Sequence, residues 1–441
     1  MIQKGYKAVT AEEAVKVIKD GDRIHLSSVA TAPQILIKAL CDRGRAGEIR
    51  NIKINHLHTE GPAPYADAEF EGIFQLDSFF VGSNVRCQTQ EGYADYIPVF
   101  LGETQRLYRD GYLKVNVAMV QVSPPDKHGY VSLGTSVDAT LAAIENADTV
   151  IAVANPNVPR ALGDAMLRME MIDIWVEDDT PLLEAHFAEP NEIEKIIGKH
   201  AAALIEDGAT LQMGIGALPN AVLCQLKHHK NLGVHTEMFA DGVLNLVERG
   251  VINGAEKGID RGKMVATFLM GSHKVYDFID DNPGVLMMDV GYTNDIAIIA
   301  KNPKVTAINC AIQVDITGQI CADSIGTKFF SGVGGQIDFI RGASLSKGGK
   351  PIIAMPSETN KGVSKIVPVL NPGAGVVTTR SHMHWFVTEY GAVNLYGKSL
   401  QERAKLIISI AHPNHREELD KAAFGRFGPH FHFIPEKIAR E

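Results

Sequence analysis

The sequence predicts an α/β protein of two similar open α/β domains with largely parallel sheets. Three observations carry this. Short β-rich runs alternate with helical patterns along the chain. The order helix, Asp-Gly, strand, loop, Pro, helix occurs twice, about 190 residues apart. At 441 residues the chain exceeds one ordinary core.

The first copy opens at Thr10-Ala11-Glu12-Glu13, a capping box ahead of Ala14, Val15 and Ile18 at helical spacing. Asp20-Gly21 ends that helix, Arg23 to Ser28 reads as a strand, Val29 to Pro33 as a loop, and Gln34 to Leu40 as a helix. In the second copy Asn191 and Glu194 cap a helix that Asp207-Gly208 ends. Thr210 to Met213 is its strand, Gly214 to Pro219 its loop, and the next helix starts at Asn220. Val120-Gln121-Val122 and Ile312-Gln313-Val314 form a second correspondence at a similar offset. Further β-rich runs are Lys114 to Val120, Thr149 to Ala154, Val285 to Val290, Ala297 to Ile299 and Ile352 to Met355. A long internal repeat of this kind means two related domains, 1–188 and 189–441, divided near the acidic, proline-containing run Glu177 to Glu194.

Composition excludes more than it assigns. The formal charge is −9 with no basic run, against a nucleic-acid partner. No apolar segment reaches membrane-spanning length, and the N-terminus lacks a signal-peptide core. Five scattered cysteines without a C-x-x-C pair fit a reducing cytoplasm. The pairs His56/His58, His382/His384 and His430/His432, with His412 and His415 three apart, match no metal-ligand pattern, so no metal is expected. A G-x-S-x-G elbow and a P-loop are both missing.

The stretch with chemical content is His235-Thr236-Glu237-Met238-Phe239-Ala240-Asp241-Gly242. On a strand His235 and Glu237 share a face. Asp241 is the better cap for the helix from Val243, which leaves Glu237 without a structural task. Upstream, Gln212-Met213-Gly214-Ile215-Gly216-Ala217-Leu218-Pro219 holds G-x-G-x-x-P between strand and helix. It is a tight turn or an anion site of bare amides; Pro219 replaces the third glycine of a dinucleotide fingerprint. Ser331-Gly332-Val333-Gly334-Gly335 lets backbone approach a ligand, or is a flexible turn. Asn294 is a donor at a strand end, or a turn asparagine. His56, His58 and Gln88 are polar candidates for a substrate hydroxyl.

Several ordered stretches match together: Ser123 to Tyr130, Gly214 to Pro219, His235 to Met238, Gln313 to Asp315, Gly332 to Phe339 and Thr388 to Gly391. Nearly the whole chain thereby resembles the acetyl-CoA hydrolase/transferase family, and within it the 4-hydroxybutyrate CoA-transferases. The resemblance implies two domains of CoA-transferase fold with the active site in the cleft between them. It implies that Glu237 carries CoA as a thioester, and that Asn294 and a backbone amide of the Gly334-Gly335 turn stabilise the oxyanion. Gln212, Gly214, Ile215, Gly216 and Gly332 are then expected to line the acyl and CoA site. Coenzyme A is expected as substrate and covalent intermediate, with no permanently bound cofactor. Expected partners are acyl-CoA (4-hydroxybutyryl-, butyryl- or acetyl-CoA) and small carboxylates such as acetate, and a homodimer. The alternatives are an acyl-CoA hydrolase on the same scaffold, a dinucleotide-dependent oxidoreductase, and a silent CoA-binding protein.

Overall fold

The structure is a computed structural model that describes residues 6–428 and Phe431. Two parallel sheets organise it. The first contains β1 Arg23–Leu26, β2 Ile52–Asn55, β3 Phe74–Ser78, β4 Ala94–Tyr96, β5 Val115–Val122, β6 Ala147–Ala154 and β7 Ile174–Glu177, in the order β4-β3-β2-β1-β5-β6-β7. The second contains β8 Thr210–Met213, β9 Gly233–Val234, β10 Val305–Asn309, β11 Lys350–Ala354, β12 Trp385–Thr388 and β13 Gly391–Asn394, in the order β9-β8-β10-β11-β12-β13. Every pairing is parallel except β12 with β13. The order β2-β1-β5-β6-β7 thus reappears as β9-β8-β10-β11-β12. Strands such as β5 are near-continuous apolar runs because both faces of the sheet are covered.

The repeat extends to turn chemistry. Gly21 and Gly208 both lie at positive φ, 84° and 75°, where a side chain would strain the backbone. Asn51 and Asn231 adopt left-handed conformations at 57° and 56°. Asp20 accepts from the Arg50 amide and Asp207 from the Lys230 amide, each at 2.8 Å. The predicted caps are present: Thr10 accepts from the Glu13 amide, and Asn191 and Glu194 form a full capping box. Between the sheets, residues 178–191 hold neither helix nor strand. This stretch lies against the helix His273–Ile279, where the Tyr276 hydroxyl donates to Leu183 O at 2.7 Å. Among the described residues no helix is long and apolar enough to cross a membrane.

One apolar cluster joins the halves. Val29, Leu57, Phe79 and Leu101 pack with Met238, Phe268, Met270 and Val290. It sits at the carboxyl ends of the strands, where open α/β sheets place their ligands.

Several sequence expectations need correction. Ala297–Ile299 belongs to a helix, Ile296–Ala300, whose first amides are accepted by Asp295; three residues are too few to reveal a period. Val285–Val290 is a strand only to Met287. The loop after β8 is shorter than expected, because the helix begins at Ala217 and takes Pro219 into its first turn. Asp241 caps nothing ahead of Val243; its carboxylate accepts from the Ser272 amide and hydroxyl. Gln313–Asp315 lies in a separate three-stranded sheet, whereas Val120 to Val122 form the end of β5 in the large sheet, so these runs are not strand equivalents. The pair His430 and His432 lies outside the described residues.

Candidate active site

Glu237 sits between β9 and the two-residue strand Met238–Phe239. Its carbonyl accepts from the Thr267 and Phe268 amides at 2.9 and 3.1 Å. The segment carrying them is bonded in turn to the first half: Val137 donates to Thr267 O at 2.8 Å, and Leu269 donates to Thr135 O at 2.9 Å. His235 Nε2 donates to Thr293 O at 2.9 Å, and the Glu237 carboxyl lies beside the adjacent Asn294. Burial holds the His235 imidazole down to about 4, with Lys257 adding to the effect, so it is neutral.

The Glu237 carboxyl is pushed up to about 7, first by burial and then by the charge of Asp338. The Gly335 amide and the Asn294 side chain pull it partly back. Its Oε2 is buried without a hydrogen-bond partner of its own. A carboxylate kept poorly solvated in this way is a stronger nucleophile than one in water. Asn294 ends the short helix Val290–Thr293, not a strand as expected from the sequence, and its Nδ2 donates to Asp338 Oδ2 at 2.9 Å. Gly335 is required for space. A Cβ there would overlap both Glu237 Oε2 and Asn294 Nδ2.

The other expected site residues surround this centre at different depths. Gly334 turns at φ 56° and its carbonyl accepts from the Leu101 amide of the first half at 3.0 Å. Gly332 lies 3.0 Å from the Phe80 ring at its vacant Cβ position. Gly214 borders a small cavity shared with Thr236 and Met238. Ile215 packs on the cluster that joins the halves. Gly216, at φ 105°, caps the helix Ala217–Gln225. Gln212 is buried in β8, where Asn309 donates to its Oε1 at 2.9 Å. Gln88 bonds Asp67 on a surface helix.

Histidines form one further group among the described residues. Glu358, His412 and His415 lie close enough to hold a metal ion. However, His412 Nδ1 accepts from the Asn414 amide, which places its proton on Nε2 facing Glu358. His415 Nε2 meets the other oxygen at 3.1 Å. The group is complete as a hydrogen-bonded clasp on the C-terminal helix.

The sequence pattern of the acetyl-CoA hydrolase/transferase N-terminal domain matches residues 2–184, and that of the C-terminal domain matches residues 271–423. The chain belongs to the acetyl-CoA hydrolase/transferase family. It is 49% identical to the succinyl-CoA:acetate/propanoyl-CoA:succinate CoA transferase of Fasciola hepatica, covering 95% of this chain and 88% of that protein. It is 48% identical to the 4-hydroxybutyrate coenzyme A transferase of Clostridium kluyveri, covering 94% and 96%. The crystal structure of RipA from Yersinia pestis superposes with a TM-score of 0.91 at 37% identity, covering 96% of this chain and 98% of that one. The fold is therefore the one these family members share.

Two elements of the site escaped sequence reasoning. Asp338, buried beside Asn294, stands out in the sequence only as part of the Gly332–Phe339 stretch. The turn Leu101–Glu103 of the first half donates the Gly102 amide to Asp338 Oδ2 at 3.1 Å. No local pattern marks a contact across 236 residues.

Proposed function

We propose that the protein is a CoA-transferase that moves CoA between a short-chain acyl-CoA and a free carboxylate such as acetate. The observation that carries this is the buried, partnerless Oε2 of Glu237 beside the Asn294 amide and the Gly335 backbone. Such a carboxylate serves as a nucleophile, and two donors beside it serve a developing oxyanion. Glu237 attacks the thioester carbonyl, the C–S bond breaks, and CoA thiolate leaves an acyl-glutamyl anhydride. The thiolate attacks the glutamyl carbonyl, which releases the first carboxylate and leaves a glutamyl-CoA thioester. An acceptor carboxylate then reverses the sequence, giving ping-pong kinetics. No water and no net proton transfer are needed.

Relatives named for succinyl-CoA, propanoyl-CoA, 4-hydroxybutyrate and acetate support a short-chain acyl group. Within this reading the first half, 1–188, walls the cleft and selects the acyl group, and the second, 189–441, performs the transfer. CoA enters as substrate, with no resident cofactor, and Gln212, Gly214, Ile215, Gly216 and Gly332 line its path. The protein is taken as a cytoplasmic homodimer, which light scattering tests for mass. The decisive experiment is borohydride reduction of enzyme mixed with acyl-CoA, followed by peptide mass spectrometry. A modified peptide containing Glu237 is expected; modification elsewhere overturns the assignment. CoA release without any carboxylate acceptor, at a rate matching turnover, would instead favour hydrolysis.

A further inference from the structure

A primary amide can present either end to a site, and an oxyanion needs the NH2 end. In this structure that choice has a visible cause. Asn294 Nδ2 donates to Asp338 Oδ2 at 2.9 Å, while Asn294 Oδ1 is buried and partnerless. An ionised carboxylate only accepts, so it cannot be met by Oδ1. The second Nδ2 hydrogen remains available. Nδ2 and Glu237 Oε2 both border the space left by the missing Gly335 side chain.

Asp338 has a second partner. Its Oδ2 also accepts from the Gly102 amide, at 3.1 Å. The residue before it, Leu101, donates to the carbonyl of Gly334 at 3.0 Å, just ahead of the Gly335 amide. A single turn of the first half therefore touches both oxyanion donors, one through Asp338 and one through the backbone. A side chain at Gly102 would crowd Asn294 Cβ at 3.1 Å and Asp338 Oδ2 at 3.2 Å, so the approach is close.

We propose that Asp338 is a positioning residue for the transfer: it fixes the amide of Asn294 toward the reacting carbonyl and ties that orientation to docking of the Leu101–Glu103 turn. This rests on Glu237 as nucleophile. The groups that face Asp338 are Glu103 of the same turn, Glu237, and the neutral Asn294 and Gly102 amides. Those that shift Glu237 are Asp338, Asn294 and the Gly335 amide. Asp338 is thus also the charged neighbour that opposes ionisation of the nucleophile.

The test uses the full-length chain, with kcat, KM and the pH profile of acyl-CoA:carboxylate exchange. Asp338→Asn is expected to lower kcat roughly 10- to 100-fold, with KM changed less than about threefold. The acid limb of kcat/KM moves to lower pH, because the neighbouring charge is gone. In an Asn294→Ala background the same change costs little further kcat, since its effect passes through the amide. Unchanged kcat in Asp338→Asn, or fully additive losses in the double variant, overturns the proposal. If Asp338→Asn does not fold, Asp338→Glu keeps the charge and acceptor; it is expected to retain the wild-type acid limb with a lowered kcat, and a displaced limb refutes the assignment. An active Glu237→Gln would remove the nucleophile reading itself. An inactive Glu237→Gln beside an unaffected Asp338→Asn removes only the positioning role.

Discussion

The two halves share a strand order and differ at one strand end. In the first, β1 pairs Arg23 with Lys53 and Ile24 with Ile54. In the second, β8 pairs Thr210 with Gly233 and Leu211 with Val234. With Gly21 aligned on Gly208 and Asn51 on Asn231, Leu57 occupies the place of Glu237. Leu57 is buried in the cluster that joins the halves, where it meets the surroundings of Met238. One strand end thus carries a buried carboxylate and its twin an apolar wall. A parallel sheet fixes where a ligand can bind, while the chemistry follows from the single side chain placed there and the donors aimed at it.

The sharpest way to break this comparison is to move the carboxylate. Glu237→Gln is expected to lower turnover on the order of 10³-fold or more, and Leu57→Glu added to it restores nothing, because Asn294 and Gly335 face only the second site. Recovery of exchange activity in the double variant would show the halves to be interchangeable. Next in size is Gly335→Ala, whose methyl group would displace Glu237 and Asn294; kcat should fall roughly 10²- to 10³-fold without loss of folding by circular dichroism. Leu57→Ala tests the wall: a loss of about 2–5 kcal/mol in denaturant unfolding is expected, with Glu237 still trapped by borohydride.

The smallest effect concerns pH. Glu237 is raised from 4.5 in the unfolded chain to about 7 in the folded one, so the native state binds its proton more tightly. Its buried charge therefore costs stability above pH 7, and that cost fades as pH falls from 7 toward 4.5. Glu237→Gln should melt higher than wild type at pH 8, by about 1–3 kcal/mol at most, and equal it near pH 4.5. For wild type, kcat/KM should rise with pH to a plateau above about 7, since attack needs the ionised form. A pH-independent rate between 5 and 8 would contradict this environment.

Much of the scaffold was legible because it is local. Gly21, Gly208, the Asn191–Glu194 box and the strand Thr210–Met213 are set by neighbours in sequence, and the structure reproduces them. Short elements were not legible: Ile296–Ala300 is too brief for its period to show. Asp241 looked like a cap because its true partner, Ser272, lies 31 residues away. The family resemblance points to Glu237, Asn294 and Gly335, and the structure brings them together. Asp338 and Gly102 meet only when the halves dock, so no window of sequence could pair them.

The pair of hydrogen bonds that the Thr267 and Phe268 amides donate to the Glu237 carbonyl fixes more than an atom. Side chains on an extended segment alternate, so a one-residue slip would turn Met238 toward Asn294 and Glu237 away. The strands beside Glu237 are only two residues long and hold register weakly alone. Thr135 and Val137 of the first half pin the segment that pins Glu237. During refolding, helical and strand content should therefore return before activity does, the interval being the time the distant halves take to find one another and lock the register.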